Sequence, residues 1–131
     1  MIILENIIYS IYREEFLEEF TELLQYLVTD HADYGNDTGY LLLMGDFNFH
    51  IHDVTDRDTI AFLELVSSFG LRQHVTDSTH RSGRTLDLVF TRSADPIMLS
   101  TRVEDHGFPD HYPVFIDLLI SKPEPPTLRI I

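Results

Sequence analysis

The spacing of apolar and polar positions changes several times along the chain, and each change marks an element. Ile2, Ile3 and Leu4, followed by Ile7, Ile8 and Tyr9, are β-branched or aromatic residues in short runs and predict an opening strand. From Arg13 to Val28 the apolar residues Phe16, Leu17, Phe20, Leu23, Leu24, Leu27 and Val28 keep helical spacing, with Glu14, Glu15, Glu18, Glu19 and Glu22 turned outward, so a helix is expected there. Asp30 to Gly39 has a loop composition. Tyr40 to Met44 is a continuous apolar run of strand length that stops at Gly45, which predicts a buried strand. Thr59 to Phe69 returns to helical spacing and is closed by Gly70 as a C-cap. Thr85 to Thr91 alternates, placing Leu86, Leu88 and Phe90 on one face and a polar face opposite. After a loop through Asp95, Pro96 and Gly107, Pro113 to Ile120 reads as the last strand, and the chain ends in a Pro-rich tail. No internal repeat is visible. Interleaved strands and helices predict an α/β domain over residues 1–120, with the tail at 121–131.

Composition supports a packed domain. A chain of 131 residues, 44% hydrophobic with nine Phe and six Tyr, has enough apolar side chains for a core of its own. There is no Cys, which excludes disulfides and thiolate metal sites, and no basic-then-apolar leader is evident, so an intracellular setting, nuclear or cytoplasmic, is expected. The apolar runs are far shorter than the roughly 20 residues of a spanning helix, so no membrane partner is expected. The formal net charge of −13 counts against a simple nucleic-acid binder. The charge is uneven, however. Residues 1–40 carry nine acids against Arg13 alone, whereas residues 72–102 carry Arg72, Arg81, Arg84, Arg92 and Arg102 against three Asp, leaving room for a phosphate-facing side.

Several places can carry chemistry. Asp46 and Asn48 follow the buried strand, where ligand sites of layered α/β proteins lie. Two residues apart on an extended segment, they can point the same way, offering a carboxylate for a proton or metal and an amide for a phosphate oxygen. Asp and Asn are also common turn residues. Asp110 and His111 precede the last strand, where a carboxylate could hold a divalent cation and the imidazole could act as base or phosphate ligand, although loop Asp-His pairs are usually just solvated. Asp87 is a lone carboxylate in an otherwise apolar and hydroxylic strand. It either orients a histidine or sits on a solvent face. His50, His52 and Asp53 form a further cluster that could share a transition metal, with no third nitrogen ligand evident. Arg81 and Arg84, in the turn before Asp87, can contact phosphates or simply be solvated.

In order, LLLMGDFNFHIHD, FLELVSSFGLRQHVTDSTHRSGRTLDLVFTR and PDHYPVFIDL resemble the C-terminal part of the endonuclease/exonuclease/phosphatase family, most closely the nuclease domains of LINE-type retrotransposons. The resemblance runs from about Ile7 to Leu119. It implies half of a four-layer α/β sandwich, a mixed sheet flanked by helices. It also implies metal-dependent phosphodiester hydrolysis with Mg²⁺ or Mn²⁺. Asp46 would help to activate the attacking water, and Asn48 would hold the scissile phosphate. Asp110 would contribute to the metal site, His111 would contact the phosphate or share the proton work, and Asp87 would orient His111. His80 lies in a segment characteristic of the retrotransposon members and receives no chemical role.

The departures shape the expectation. The family's N-terminal half supplies an Asn, the principal metal-binding Glu and much of the DNA-facing surface, and none has a counterpart here. Either Tyr9 or Tyr12 could be the remnant of the family's phosphate-contacting tyrosine, and Pro109 stands where the family generally has Ser before Asp-His. A sheet lacking its partner would expose apolar side chains, so self-association or a covering partner is expected. The sequence leaves open a weak or inactive Mg²⁺-dependent endonuclease, a catalytically dead transposon-derived protein acting by association, and a metal module built on His50 and His52.

Overall fold

The computed structural model describes residues 2–4, 13–30, 40–105, 107 and 110–120. The continuation of the opening strand through Tyr9, residue Tyr12, most of the loop to Gly39, Pro109 and the tail lie outside the described residues. Four strands form one sheet in the order β1-β2-β4-β3: β1 (Ile2–Leu4), β2 (Leu41–Asp46), β3 (Leu71–Gln73) and β4 (Asp87–Arg92). β1 runs parallel to β2, whereas β4 is antiparallel to both β2 and β3, so the sheet is mixed as expected. β5 (Met98–Val103) and β6 (Val114–Leu118) form a separate antiparallel pair.

The two helices cover one face of the larger sheet. α1 (Arg13–Leu24) continues as a wider π-helical stretch over Gln25–Asp30, and α2 spans Arg57–Ser68. α2 starts at Arg57, two residues before the predicted onset, with Asp56 as its N-cap: the Asp56 carboxylate accepts from the Asp58 amide and the Thr59 hydroxyl. At the other end Gly70 takes φ +69°, a left-handed conformation that costs glycine nothing and turns the chain into β3. Phe16, Phe20 and Leu24 of α1 and Phe62 and Val66 of α2 pack on Leu41, Leu43, Leu88 and Phe90. Phe62 is the hub, with ring centroids of Phe49 at 4.3 Å, Phe47 at 5.4 Å, Phe20 at 5.8 Å and Phe90 at 6.0 Å. Among the described residues, neither helix is long and apolar enough to cross a membrane.

The opposite face of the sheet, through Leu42, Val89 and the nearby Val75, meets Met98, Val103, Val114, Ile116 and Leu118 of the β5–β6 pair. This layer corrects the polar face expected for β4, because Val89 and Thr91 are both buried. Thr91 is accommodated by a hydrogen bond between its hydroxyl and Nε2 of His74, 2.7 Å apart.

Other boundaries shift for identifiable reasons. β2 does not stop at Gly45, since Gly45 and Asp46 still pair with Leu88 and Asp87. β3 has no counterpart among the expected elements. It is only three residues long and exists by pairing with β4. β5 occupies a stretch expected to be a loop. A register shift between Met98 and Ser100 breaks the strict two-residue alternation by which a strand is recognised.

Candidate active site

Asp46 and Asp87 are directly opposed partners in the antiparallel ladder between β2 and β4. Opposed residues of such a ladder project on the same side with their Cβ atoms close together, so the register stands two carboxylates next to each other. The pairing continues one step further through the Phe47 amide, which donates to the Leu86 carbonyl at 3.0 Å. Beyond it the chain leaves the sheet at Asn48, whose φ of +52° is tolerated better by Asn than by most residues. The Asn48 amide donates back to Asp46 Oδ1 at 3.0 Å, closing an Asx turn. Phe47 and Phe49 are buried in the helix-side core, whereas Asp46 and Asn48 remain accessible. The two aromatic side chains therefore anchor the loop that carries the two polar ones.

His111 completes the cluster from a distant part of the chain. Its Nδ1–H donates to Asp87 Oδ2 at 2.7 Å, and its Nε2 lies 3.6 Å from Asp46 Oδ2. A carboxylate can only accept here, so Asp87 fixes the tautomer and leaves Nε2 facing Asp46. Burial pushes the Asp46 carboxyl above its ordinary value, and the Asp87 charge adds to this while His111 opposes it. The hydrogen bond to Asp87 raises the His111 imidazole, against a smaller effect of burial, with the charges of Asp87, Asp46 and Asp110 acting in the same direction.

The backbone that delivers His111 is held by the segment before β4. His80 and His111 form an isolated antiparallel bridge, with the Arg81 amide donating to the Asp110 carbonyl and the Tyr112 amide to the Thr79 carbonyl, both at 2.7 Å. The imidazole rings of His80 and His111 meet edge to face with centroids 4.9 Å apart. Sequence reasoning singles out His80 without giving it a role and passes over Thr79. The only signal for either is the Thr-His pair in the recognisable segment.

The remaining candidates are spread around this centre. Asp110 is exposed next to His111, and Arg81 and Arg84 are exposed in the turn that follows His80. One group of three ligand-type side chains lies close enough to share a metal ion among the described residues, namely Asp46, Asp87 and His111, with donor atoms within 4.8 Å of one another. Asp110 does not join it. His50 and His52 form no such group either. They line a cleft of about 410 Å³ with Asp53, Arg84 and Thr85, and Nε2 of His52 sits 3.2 Å from the Thr85 hydroxyl oxygen. Two carboxylates beside an imidazole suit a hard divalent cation that keeps most of its coordination sphere for water and substrate oxygens. The donor set thus fits a metal ion without fixing which one.

A mixed α/β sheet that gathers paired carboxylates and an imidazole at its strand ends is the layout of an endonuclease/exonuclease/phosphatase-type domain. Residues 6–115 match the family described as endonuclease-reverse transcriptase, and the chain belongs to that family. No curated protein and no solved structure matches it.

Proposed function

We propose that this chain is a Mg²⁺- or Mn²⁺-dependent phosphodiester hydrolase, an endonuclease domain of LINE retrotransposon type acting on DNA. The observation that carries the reading is the line Asp87, His111, Asp46, in which one imidazole is held by a carboxylate at 2.7 Å and faces a second at 3.6 Å. Asp46 takes the proton of the attacking water as the new P–O bond forms, and the P–O bond to the leaving strand breaks, its oxygen taking a proton from solvent. Asn48 directs its amide at the scissile phosphate. His111, favoured in its protonated form by Asp87, offers Nε2–H to the phosphoryl oxygens as negative charge builds there. Asp46 and Asp87 would hold the cation, with Asp110 at the rim, and the bound cation would neutralise phosphate charge and lower the pKa of coordinated water. Arg81 and Arg84 would contact the backbone of the nucleic acid, supplying the local positive charge that an acidic chain needs.

No Glu joins the cluster among the described residues, and the principal metal-binding Glu of the family has no counterpart in the motifs of this chain. We therefore expect slow turnover from this chain. The experiment is plasmid nicking with Mg²⁺, with EDTA, and with Asp46→Asn. Nicking that needs both the metal and Asp46 supports the reading, and a folded chain that does not nick at any Mg²⁺ concentration overturns it.

A second reading is favoured by the apolar residues Leu99, Phe115, Leu119 and Ile120, exposed in and just after the β5–β6 pair. A catalytically dead chain of transposon origin would use such a surface to associate with a copy of itself or another protein. Light scattering that shows only monomer at micromolar concentration would count against self-association.

A further inference from the structure

The Thr79-His80 pair has no part in the proposed chemistry, yet it touches both segments that supply the Asp87–His111 pair. Thr79 is fully buried, and its hydroxyl oxygen accepts from two successive main-chain amides, Leu86 at 2.9 Å and Asp87 itself at 3.0 Å. Its carbonyl accepts from Tyr112, and two residues later the Arg81 amide reaches Asp110. One short segment therefore clamps the start of β4, which carries Asp87, to the loop that carries His111. A main-chain amide shut away from water without an acceptor is costly, so the hydroxyl at this point is strongly required.

His80 adds a contact that a plain turn residue would not. The Ser82 amide donates to Nδ1 of His80 at 3.0 Å, and the Ser82 hydroxyl oxygen lies 2.7 Å from the same nitrogen. An Nδ1 that accepts places the proton of the neutral ring on Nε2 and fixes the ring's orientation. The ring so fixed lies at 79° to that of His111. Closing the turn requires only an acceptor at this position, which Asn also offers. Fixing the plane of His111 requires a flat ring.

We propose that Thr79 and His80 are positioning residues of the Asp87–His111 pair. Thr79 sets the separation of the two backbones, and His80 sets the plane of the His111 ring so that Nδ1 meets Asp87. The proposal rests on the pair assigned above but not on its catalytic activity. It is tested without nucleic acid or metal, so a chain that never nicks DNA still decides it.

The readout is the tautomer of neutral His111, taken from ring ¹⁵N shifts at one pH above its titration midpoint, with Asp87→Asn as the reference for the released ring. Nδ1–H should dominate in the parent chain. His80→Phe keeps a ring but not the turn acceptor, and His80→Asn keeps the acceptor but not the ring. The Phe variant should retain the Nδ1–H form, while in the Asn variant the ratio of Nδ1–H to Nε2–H should fall by about tenfold, on the scale of one hydrogen bond's net contribution. Thr79→Ser should match the parent, and Thr79→Val should shift as His80→Asn does. If His80→Asn and Thr79→Val both retain the parent ratio, the segment only closes a turn and the proposal is overturned. Should His80→Asn fail to fold, His80→Gln, which also keeps an acceptor without a ring, takes its place.

Discussion

Removing the Asp87 carboxylate should expose how strongly the site holds His111, and the size of the effect follows from the contact. A hydrogen bond to a charged partner contributes about 1.5–3 kcal/mol when protected from water. Here the side chains are 42% and 25% exposed, and solvent screening brings the expected coupling down to about 1 kcal/mol. A double-mutant cycle of Asp87→Asn and His111→Gln isolates it, with unfolding free energies from urea denaturation. The folded imidazole is raised above the ordinary histidine value of 6.5. The ionic part of the coupling is therefore fully present below 6.5 and is lost as the pH rises through the raised value. What remains above that point is a hydrogen bond from the neutral imidazole to the Asp87 carboxylate, weaker than the ion pair. Cycles run at about pH 5.5 and about pH 8.5 bracket the transition. A coupling that is the same at both, or larger at the higher, would refute the assignment of Asp87 as the partner that holds His111.

Asp46→Asn keeps an oxygen for the Asn48 amide but removes a charge that burial and Asp87 disfavour, so at about pH 8 the metal-free chain should gain roughly 0.5 kcal/mol, discounted for exposure. Since the folded carboxyl is raised above 3.8, that gain should disappear as the pH falls below 3.8, and calorimetry that finds the variant destabilised at the higher pH contradicts the charge argument. Phe62→Ala removes the fully buried hub of the aromatic cluster and should cost about 3–5 kcal/mol in denaturant unfolding, a large share of a small domain's stability. Replacing Arg81 and Arg84 together by Ala should make the salt dependence of duplex binding shallower by about 0.9 for each phosphate no longer neutralised, and an unchanged slope would place the nucleic acid elsewhere.

The legible parts of the fold were those that local periodicity encodes. α1 and α2 announce themselves because polar and apolar residues alternate at helical spacing over three turns, and β2 because Leu41, Leu42 and Leu43 leave no polar residue in the run. β3 and β5 were missed because each depends on a partner rather than on its own sequence. The three residues of β3 are too few to show a period, and the register shift in β5 puts Met98, Thr101 and Val103 inward at unequal spacing. His80 was visible only as part of a familiar segment. Its neighbours in space are Ser82, two residues on, and His111, 31 positions away, and nothing local points to the second.

The site itself shows where reading a sequence runs out. That Asp46 and Asn48 share a side follows from an alternation of two, and the buried Phe47 and Phe49 between and after them agree. Which side they share does not follow, because β2 is apolar on both faces and such a strand carries no parity in its pattern. The structure supplies the parity. Leu41, Leu43, Leu88 and Phe90 face the helices, whereas Leu42 and Val89 face the β5–β6 layer. Counting outward from these residues, Asp46 and Asp87 fall on the side of the β5–β6 layer, the side from which His111 leads into β6. A shift of one residue in either strand would turn one carboxylate toward the helices and separate the three groups. The hydrophobic packing that sets the register between β2 and β4 is therefore also what places the two carboxylates around one imidazole.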